Sequence, residues 1–144
     1  MTPGVNIYSG SRELHGLAAA LTNPTELSRR KGSIRQHYPV RFDDDHFPDA
    51  EAAYQAHKLR PDGSVKSFDE LQETMVRMLV AKLQQHPRLV ATITRHGGSA
   101  WLHTCRHVVN ARSTSFKRWE GIGVHAPFLR CLMQAYAMVR GGVR

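Results

Sequence analysis

The sequence predicts a single α+β domain, residues 1–144, that is mostly helical and contains a small antiparallel sheet. Its 144 residues suffice for one hydrophobic core and are few for two domains. Hydrophobic residues make up 41% and charged residues 22% of the chain, as in ordinary folded proteins. Several stretches repeat apolar residues at helical spacing, whereas only short stretches alternate as strands do.

The first 47 residues predict a short strand, a helix and a hairpin. The strand covers residues 6–9, and apolar spacing predicts a helix over residues 13–21 that ends at the turn formers of residues 22–25. The basic run 29–32 predicts a solvated loop. Alternation then predicts a strand over residues 38–42, a turn at residues 43–45 and a second strand through His46 and Phe47.

A helix is predicted to begin near Asp49. Pro48 disfavours helix at the residue before it, and Asp is a good N-cap. At 3.6 residues per turn, one face of this helix carries four polar side chains, Glu51, Tyr54, Gln55 and Lys58. Such a polar face is typical of a solvated surface, and it also has the composition of a binding site.

The remaining elements follow from capping and breaking residues. Ser67 and Glu70 match a capping box, so the longest helix starts there and ends at His86, before Pro87. From Pro87 on, the sequence predicts a helix up to the glycines at 97–98, a brief strand at 101–103 and a loop over 105–117. A turn at Gly121 and Gly123 then precedes a helix over 127–139, which the glycines at 141–142 close.

The two halves of the chain differ in charge. Residues 1–76 carry 9 Lys/Arg and 11 Asp/Glu, a net −2, whereas residues 77–144 carry 11 Lys/Arg and Glu120 alone, a net +10. A basic field concentrates anions, so phosphorylated small molecules or nucleic acid are the expected partners. Solubility alone is the alternative explanation.

Neither a membrane partner nor a leader segment is expected. No run of about 18 apolar residues occurs, and the amino terminus lacks a charged and then apolar leader pattern. We therefore expect a cytoplasmic protein. Two cysteines, Cys105 and Cys131, are too few for a disulfide scaffold, although one bridge between them is compatible with the sequence.

No metal or cofactor is predicted. His103 and His107 flank Cys105, but the segment lacks the Glu of a His-Glu-x-x-His site and the chain has no Cys-x-x-Cys pair. A Walker loop and a dinucleotide fingerprint are also absent from the sequence.

A second candidate stretch runs from Trp119 to Gly123. It combines an indole, the carboxylate of Glu120 and the glycines 121 and 123 just before a helix. An indole stacks on bases or sugars, and glycines let backbone amides approach a phosphate. A packed turn is the simpler interpretation of the same residues.

Residues 47–58, Phe-Pro-Asp-Ala-Glu-Ala-Ala-Tyr-Gln-Ala-His-Lys, resemble the NADAR (YbiA-like) family pattern, an aromatic-Pro pair before Glu-x-x-Tyr-Gln-x-x-Lys. Residues 75–89, ending in His-Pro-Arg-Leu, and residues 119–132 resemble later family segments, so the resemblance spans residues 6–140. Three positions depart from the pattern. Glu120 separates Trp119 from Gly121, His103 stands where Glu is usual, and residues 21–23 read Leu-Thr-Asn instead of Phe-Ser-Asn.

The resemblance implies a YbiA-like fold and an N-glycosidase that needs no cofactor. The implied substrates are ADP-ribosylated guanine, in nucleic acid or nucleotide, and ribosylamino intermediates of riboflavin synthesis. A non-catalytic module that binds ADP-ribose, NAD or nucleic acid is the alternative.

Ten residues are candidates for this chemistry. Glu51 is expected to stabilise positive charge on the ribose or to orient water. The alternative is that Lys58 attacks C1 and forms an imine with the opened ribose, which requires that burial lower its pKa enough to free the amine. Trp119 is expected to stack on the base or ribose. The expected substrate-binding residues include Lys82 for phosphate and Glu120 as a second acid; the full set is Asn23, Tyr54, Gln55, Lys82, Glu120, Gly121 and Gly123.

Overall fold

Eight α-helices and four short strands occur in residues 2–141, the part of the chain that this computed structural model describes. The helices and strands are, in chain order, α1 (Leu17–Ala20), α2 (Thr25–Arg30), β1 (Val40–Phe42), β2 (Asp45–Phe47), α3 (Ala50–His57), α4 (Phe68–Gln85), α5 (Pro87–His96), α6 (Ser99–Thr104), β3 (Arg106–His107), α7 (Thr114–Lys117), β4 (Gly121–Ile122) and α8 (Pro127–Arg140). Short 3₁₀ turns at Glu13–Gly16 and Gly123–His125 complete the set. The predicted α+β class, mostly helical with small antiparallel sheets, is therefore confirmed.

The core forms around α4. This helix packs along α8 and also contacts α3, α5 and β1. Its buried side chains Met78, Leu79 and Leu83 join Leu129 and Leu132 of α8 in one hydrophobic cluster. Burying apolar side chains of this size stabilises the fold by roughly 1.5–3 kcal/mol each.

The longest helix begins and ends where the sequence predicts. The Ser67 hydroxyl accepts a hydrogen bond from the Glu70 amide at 3.2 Å, and the Glu70 carboxylate accepts one from the Ser67 amide at 3.0 Å. The helix stops at Gln85, and Pro87 opens α5 because a missing N–H costs nothing in the first turn. The predicted helix at 127–139 is also confirmed, as α8. Its predicted closing residue Gly142 lies outside the described residues.

The hairpin at residues 38–47 is confirmed in shorter form. Strands β1 and β2 pair antiparallel with Val40 opposite Phe47. The turn residues Asp43 and Asp44 have φ of 48° and 66°, a conformation that Asp tolerates better than most residues. A second antiparallel pair, β3 with β4, was not predicted. The strand predicted at residues 6–9 is reduced to a single bridge from Asn6 to Arg106.

Four local predictions are wrong. Residues 101–103 lie in α6 rather than in a strand, and Trp101 is fully buried there. The helix predicted over residues 13–21 is interrupted, because Leu14, His15 and Gly16 all have positive φ. The basic run begins inside α2, which extends to Arg30, and the predicted loop 105–117 contains β3 and α7.

Cys105 and Cys131 are both buried free thiols. Along residues 2–141, none of the helices combines the length and the apolar character needed to cross a bilayer.

Asp49 joins the starts of two helices. One carboxylate oxygen accepts a hydrogen bond from the Ala52 amide of α3 at 3.0 Å, and the other accepts one from the Glu26 amide of α2, also at 3.0 Å. The predicted helix start at Asp49 is confirmed, and the same side chain fixes α2 against α3.

Replacing Asp49 by Asn therefore removes one of two caps. The amide oxygen of Asn accepts from only one helix, so we expect Asp49→Asn to lower the free energy of unfolding by about 1 kcal/mol and Asp49→Ala by about twice as much. Urea unfolding at pH 7 measures both. Equal stability of Asp49→Asn and the unaltered protein would show that the second cap contributes nothing.

Candidate functional site

A cavity of about 720 Å³ brings four of the predicted site residues together. Asn23, Glu51, Tyr54 and Trp119 all line it. They come from the turn before α2, from α3 and from the segment after α7. The polar face predicted for α3 thus lies partly against a cavity rather than only against solvent.

Glu51 is a partly buried carboxylate with a neutral partner. The Gln55 amide donates a hydrogen bond to it at 2.7 Å. Burial raises the pKa of Glu51, the hydrogen bond from Gln55 and the charge of Lys58 act against that rise, and the charge of Asp49 adds to it. The net shift in the pKa of Glu51 is therefore upward.

Asn23 presents an unused acceptor. Its side chain is buried, its amide nitrogen contacts the Met75 sulfur at 3.3 Å, and its Oδ1 atom has no hydrogen-bond partner. Its backbone carbonyl accepts hydrogen bonds from the amides of Thr25 and Glu51, which sets the side chain beside the cavity. A buried acceptor without a partner is costly unless a ligand supplies the donor.

Aromatic rings form another part of the cavity wall. The rings of Tyr54 and Trp119 meet edge to face with their centroids 6.0 Å apart. The ring of Phe68 also contacts the Trp119 indole edge to face, with centroids 5.0 Å apart. Phe116 of α7 also lines the cavity and is half exposed. Such rings offer flat surfaces for a base or a sugar.

Gln55 and Lys58 do not line the cavity. Gln55 acts on Glu51 through its hydrogen bond. Lys58 follows the last residue of α3 and is partly buried, and its charge makes only the smallest contribution against the rise in the pKa of Glu51. The expected attack of Lys58 on the sugar is therefore not supported by its position.

Lys82 does not have the role expected of it. Its side chain is buried in the core, and its ammonium donates to the carbonyl oxygens of Ala20 at 2.7 Å and Thr22 at 2.6 Å. Burial lowers its pKa to about 7, against the opposing charge of Asp49. The amine fixes the turn that carries Asn23 and is not available to a phosphate.

The segment from Glu120 to Gly123 also has a structural role. The Glu120 carboxylate accepts hydrogen bonds from three successive amides, of Val109, Asn110 and Ala111, so it secures a loop of the cavity wall instead of facing a substrate. A Cβ at Gly121 would lie 2.7 Å from a carbonyl oxygen, and one at Gly123 would lie 2.5 Å from another. These glycines permit close backbone packing, and neither lines the cavity.

Two further cavity residues were not predicted to belong to the site. Lys31 donates to the Ser9 hydroxyl at 2.7 Å and is exposed, so it is the cation that the cavity offers to an anion. Nδ1 of His107 lies 2.7 Å from the carbonyl oxygen of Ile7, which only accepts, so Nδ1 carries the proton. Burial lowers the pKa of His107, which leaves Nε2 as an acceptor. Sequence spacing did not place Lys31 or His107 in the site, because each side chain is positioned by a contact with a residue far away in the sequence.

In residues 2–141, no three His, Cys, Asp or Glu side chains lie close enough to hold a metal ion. Comparisons of the chain with protein-family models, with curated proteins and with solved structures give no match. The NADAR resemblance stays a prediction that depends on the motifs in residues 47–58, 75–89 and 119–132.

Glu51 should cost stability at neutral pH. Because its pKa is raised in the folded state, the unfolded chain loses that proton first, and the protein loses stability as the pH rises above about 4.5. Glu51→Gln keeps an acceptor for Gln55 without the charge. We expect its melting temperature at pH 7.5 to exceed that of the unaltered protein by about 2–5 °C, the equivalent of roughly 1 kcal/mol.

Calorimetry at pH 4 and pH 7.5 measures this difference, which should shrink at the lower pH. The exposed Glu73→Gln is the matched control and should change stability by less than about 0.5 kcal/mol. A Glu51→Gln protein that is less stable at pH 7.5 would contradict the assignment of a burial cost to this carboxylate.

Lys82 should give the protein a distinct alkaline stability profile. Between pH 7 and 10 the unfolded lysine keeps a proton that the folded one loses, so the free energy of unfolding rises with pH. Lys82→Met lacks this gain. The difference in free energy of unfolding between the unaltered protein and this variant should therefore grow by about 1–3 kcal/mol between about pH 7 and 9.5. Urea unfolding measures this difference, which should stay constant at pH 5 and 6, where both states are protonated. If the difference in free energy of unfolding between the two proteins did not change with pH up to 9.5, the lowered pKa of Lys82 would be refuted.

Proposed function

We propose that the protein is an N-glycosidase that hydrolyses the bond between a ribose and a nitrogen base. The observation that carries the proposal is the shared cavity, which Asn23, Glu51, Tyr54 and Trp119 all line. The buried Oδ1 atom of Asn23 at this cavity has no hydrogen-bond partner. The substrates of interest are ADP-ribosylated guanine and ribosylamino intermediates of riboflavin synthesis, as the NADAR resemblance implies.

Glu51 is the group that supports the chemistry. Hydrolysis breaks the ribose C1′–N bond, adds the oxygen of water to C1′ and moves a proton to the released nitrogen. The transition state carries positive charge on the sugar, which a nearby carboxylate stabilises. The same carboxylate takes a proton from the attacking water, and a raised pKa brings its proton affinity closer to neutral pH. No step requires Lys58.

Substrate binding is divided among the other cavity residues. The Asn23 oxygen accepts a hydrogen bond from a ribose hydroxyl or a base N–H, which satisfies its missing partner. The half-exposed ring of Phe116 and the wall formed by Tyr54 and Trp119 contact the base or sugar. Lys31, in place of Lys82, attracts phosphate.

A binding module for ADP-ribose or NAD is the second candidate. One observation favours it: Lys58, which the resemblance assigns to catalysis, is outside the cavity lining. Binding without product release would distinguish this candidate from an enzyme.

The test is product formation from two substrates. The protein is incubated separately with an oligonucleotide carrying ADP-ribosylated guanine and with a ribosylamino pyrimidine phosphate, and released sugar and base are separated by chromatography and identified by mass. We expect release from at least one. Glu51→Gln should lower kcat by about 10²–10⁴-fold, while Lys31→Gln should mainly raise KM.

Glu73→Gln is the control and should retain full activity. Release that is unchanged in Glu51→Gln would overturn the catalytic assignment. Binding of ADP-ribose by calorimetry, with no release from either substrate, would establish the binding module instead.

A further inference from the structure

A second, larger cavity lies apart from the candidate active site. It has a volume of about 1150 Å³ and is bounded by residues 14–17, 32–38 and 85–89 and by one face of α5. We call it the basic groove. It shares no lining residue with the cavity that contains Glu51.

Apart from Tyr38, the ionisable side chains that line the basic groove are all basic. They comprise three arginines, Arg35, Arg88 and Arg95, and four histidines, with no Asp or Glu. The three arginines are exposed, and within residues 2–141 none of them has a carboxylate within 4 Å. Glu26 pairs with His37 of the groove at 3.0 Å. The three arginines therefore carry a positive charge that no ion pair within residues 2–141 neutralises.

The start of α5 adds to this attraction. Residues 87–89 are the first of this ten-residue helix and line the groove, so the positive end of the helix dipole lies beside it. Pro87 has no amide N–H and the Leu89 amide donates to the His86 carbonyl at 3.0 Å, so the attraction comes from the dipole and the arginines. Arginine side chains are usual protein contacts of phosphate oxygens.

Rings alternate with the charges. Tyr38 and His86 meet edge to face with centroids 5.2 Å apart, and the ring of His37 is exposed beside them. A basic groove with interspersed rings is the arrangement that binds the backbone and the bases of single strands. We propose that the basic groove binds single-stranded nucleic acid, through phosphate contacts to Arg35, Arg88 and Arg95. This proposal does not depend on the glycosidase activity.

The test is binding of an unmodified, fluorescently labelled single strand, measured by anisotropy over a range of NaCl concentrations. The variant is R35Q/R88Q/R95Q. We expect it to bind at least about tenfold more weakly at about 0.1 M salt, and its log–log salt slope to be smaller by about 2, because each lost phosphate contact on a single strand removes about 0.7.

The matched control is R106Q/R112Q/R118Q, which removes three exposed arginines that do not line the groove. It should bind within about threefold of the unaltered protein, because nonspecific attraction alone weakens little when distant charges are removed. Circular dichroism checks that both variants fold, and the single change R88Q, with an expected loss of about two- to threefold, replaces the triple variant if that one does not fold.

Three results would overturn the proposal. Equal weakening of both triple variants would assign the binding to net charge, and unaltered binding by R35Q/R88Q/R95Q would exclude the groove. Tighter binding of a duplex of the same length would overturn the assignment to single strands. The strand carries no ADP-ribose, so each result is independent of the glycosidase assay.

Discussion

The arrangement of the candidate site depends on the buried amine of Lys82. This lysine lies in the last turn of α4 and donates to the carbonyl oxygens of Ala20 and Thr22. Those carbonyls belong to the end of α1 and to the turn that follows it, where helix hydrogen bonding ends and the backbone needs other donors. The interaction therefore fixes a polar turn against an apolar core and places Asn23 beside the cavity.

Asp49 extends the same network to the catalytic candidate. Its carboxylate caps α2 and α3 together, and its charge adds to the rise in the pKa of Glu51 and opposes the fall in the pKa of Lys82. Lys82, Asp49 and Glu51 thus lie within electrostatic reach of one another around the start of α3. The amide of Glu51 also donates to the carbonyl of Asn23, so backbone and side-chain interactions fix the same two cavity residues.

The sequence predicted correctly those helix starts and boundaries that depend on neighbouring residues in the chain. The capping residues Asp49 and Ser67 gave two helix starts, and Pro87 marked the boundary between α4 and α5, because each acts on its own neighbours in the chain. Trp101 was placed in a strand because a short apolar run has no distinguishing period, and packing in the core selected a helix. For the site, the face of α3 identified Glu51 and Tyr54. The sequence could not distinguish a lysine that is available to phosphate from a buried one. Only the folded structure shows that Lys82 lies in the core and that Lys31 lines the cavity.

Glu51 is difficult to explain as a structural residue. Its hydrogen-bond partner is the neutral Gln55, and burial raises its pKa, with the charge of Asp49 adding to the rise and that of Lys58 opposing it. A glutamine would make the same hydrogen bond without the desolvation cost of a charge, so stability alone favours the amide over the acid at this position. A carboxylate that weakens the fold, and that faces a cavity also containing an unsatisfied acceptor, is typical of a site where stability is given up for binding or catalysis. The desolvation cost of the Glu51 carboxylate, more than its place in a sequence motif, therefore favours a functional role for this cavity.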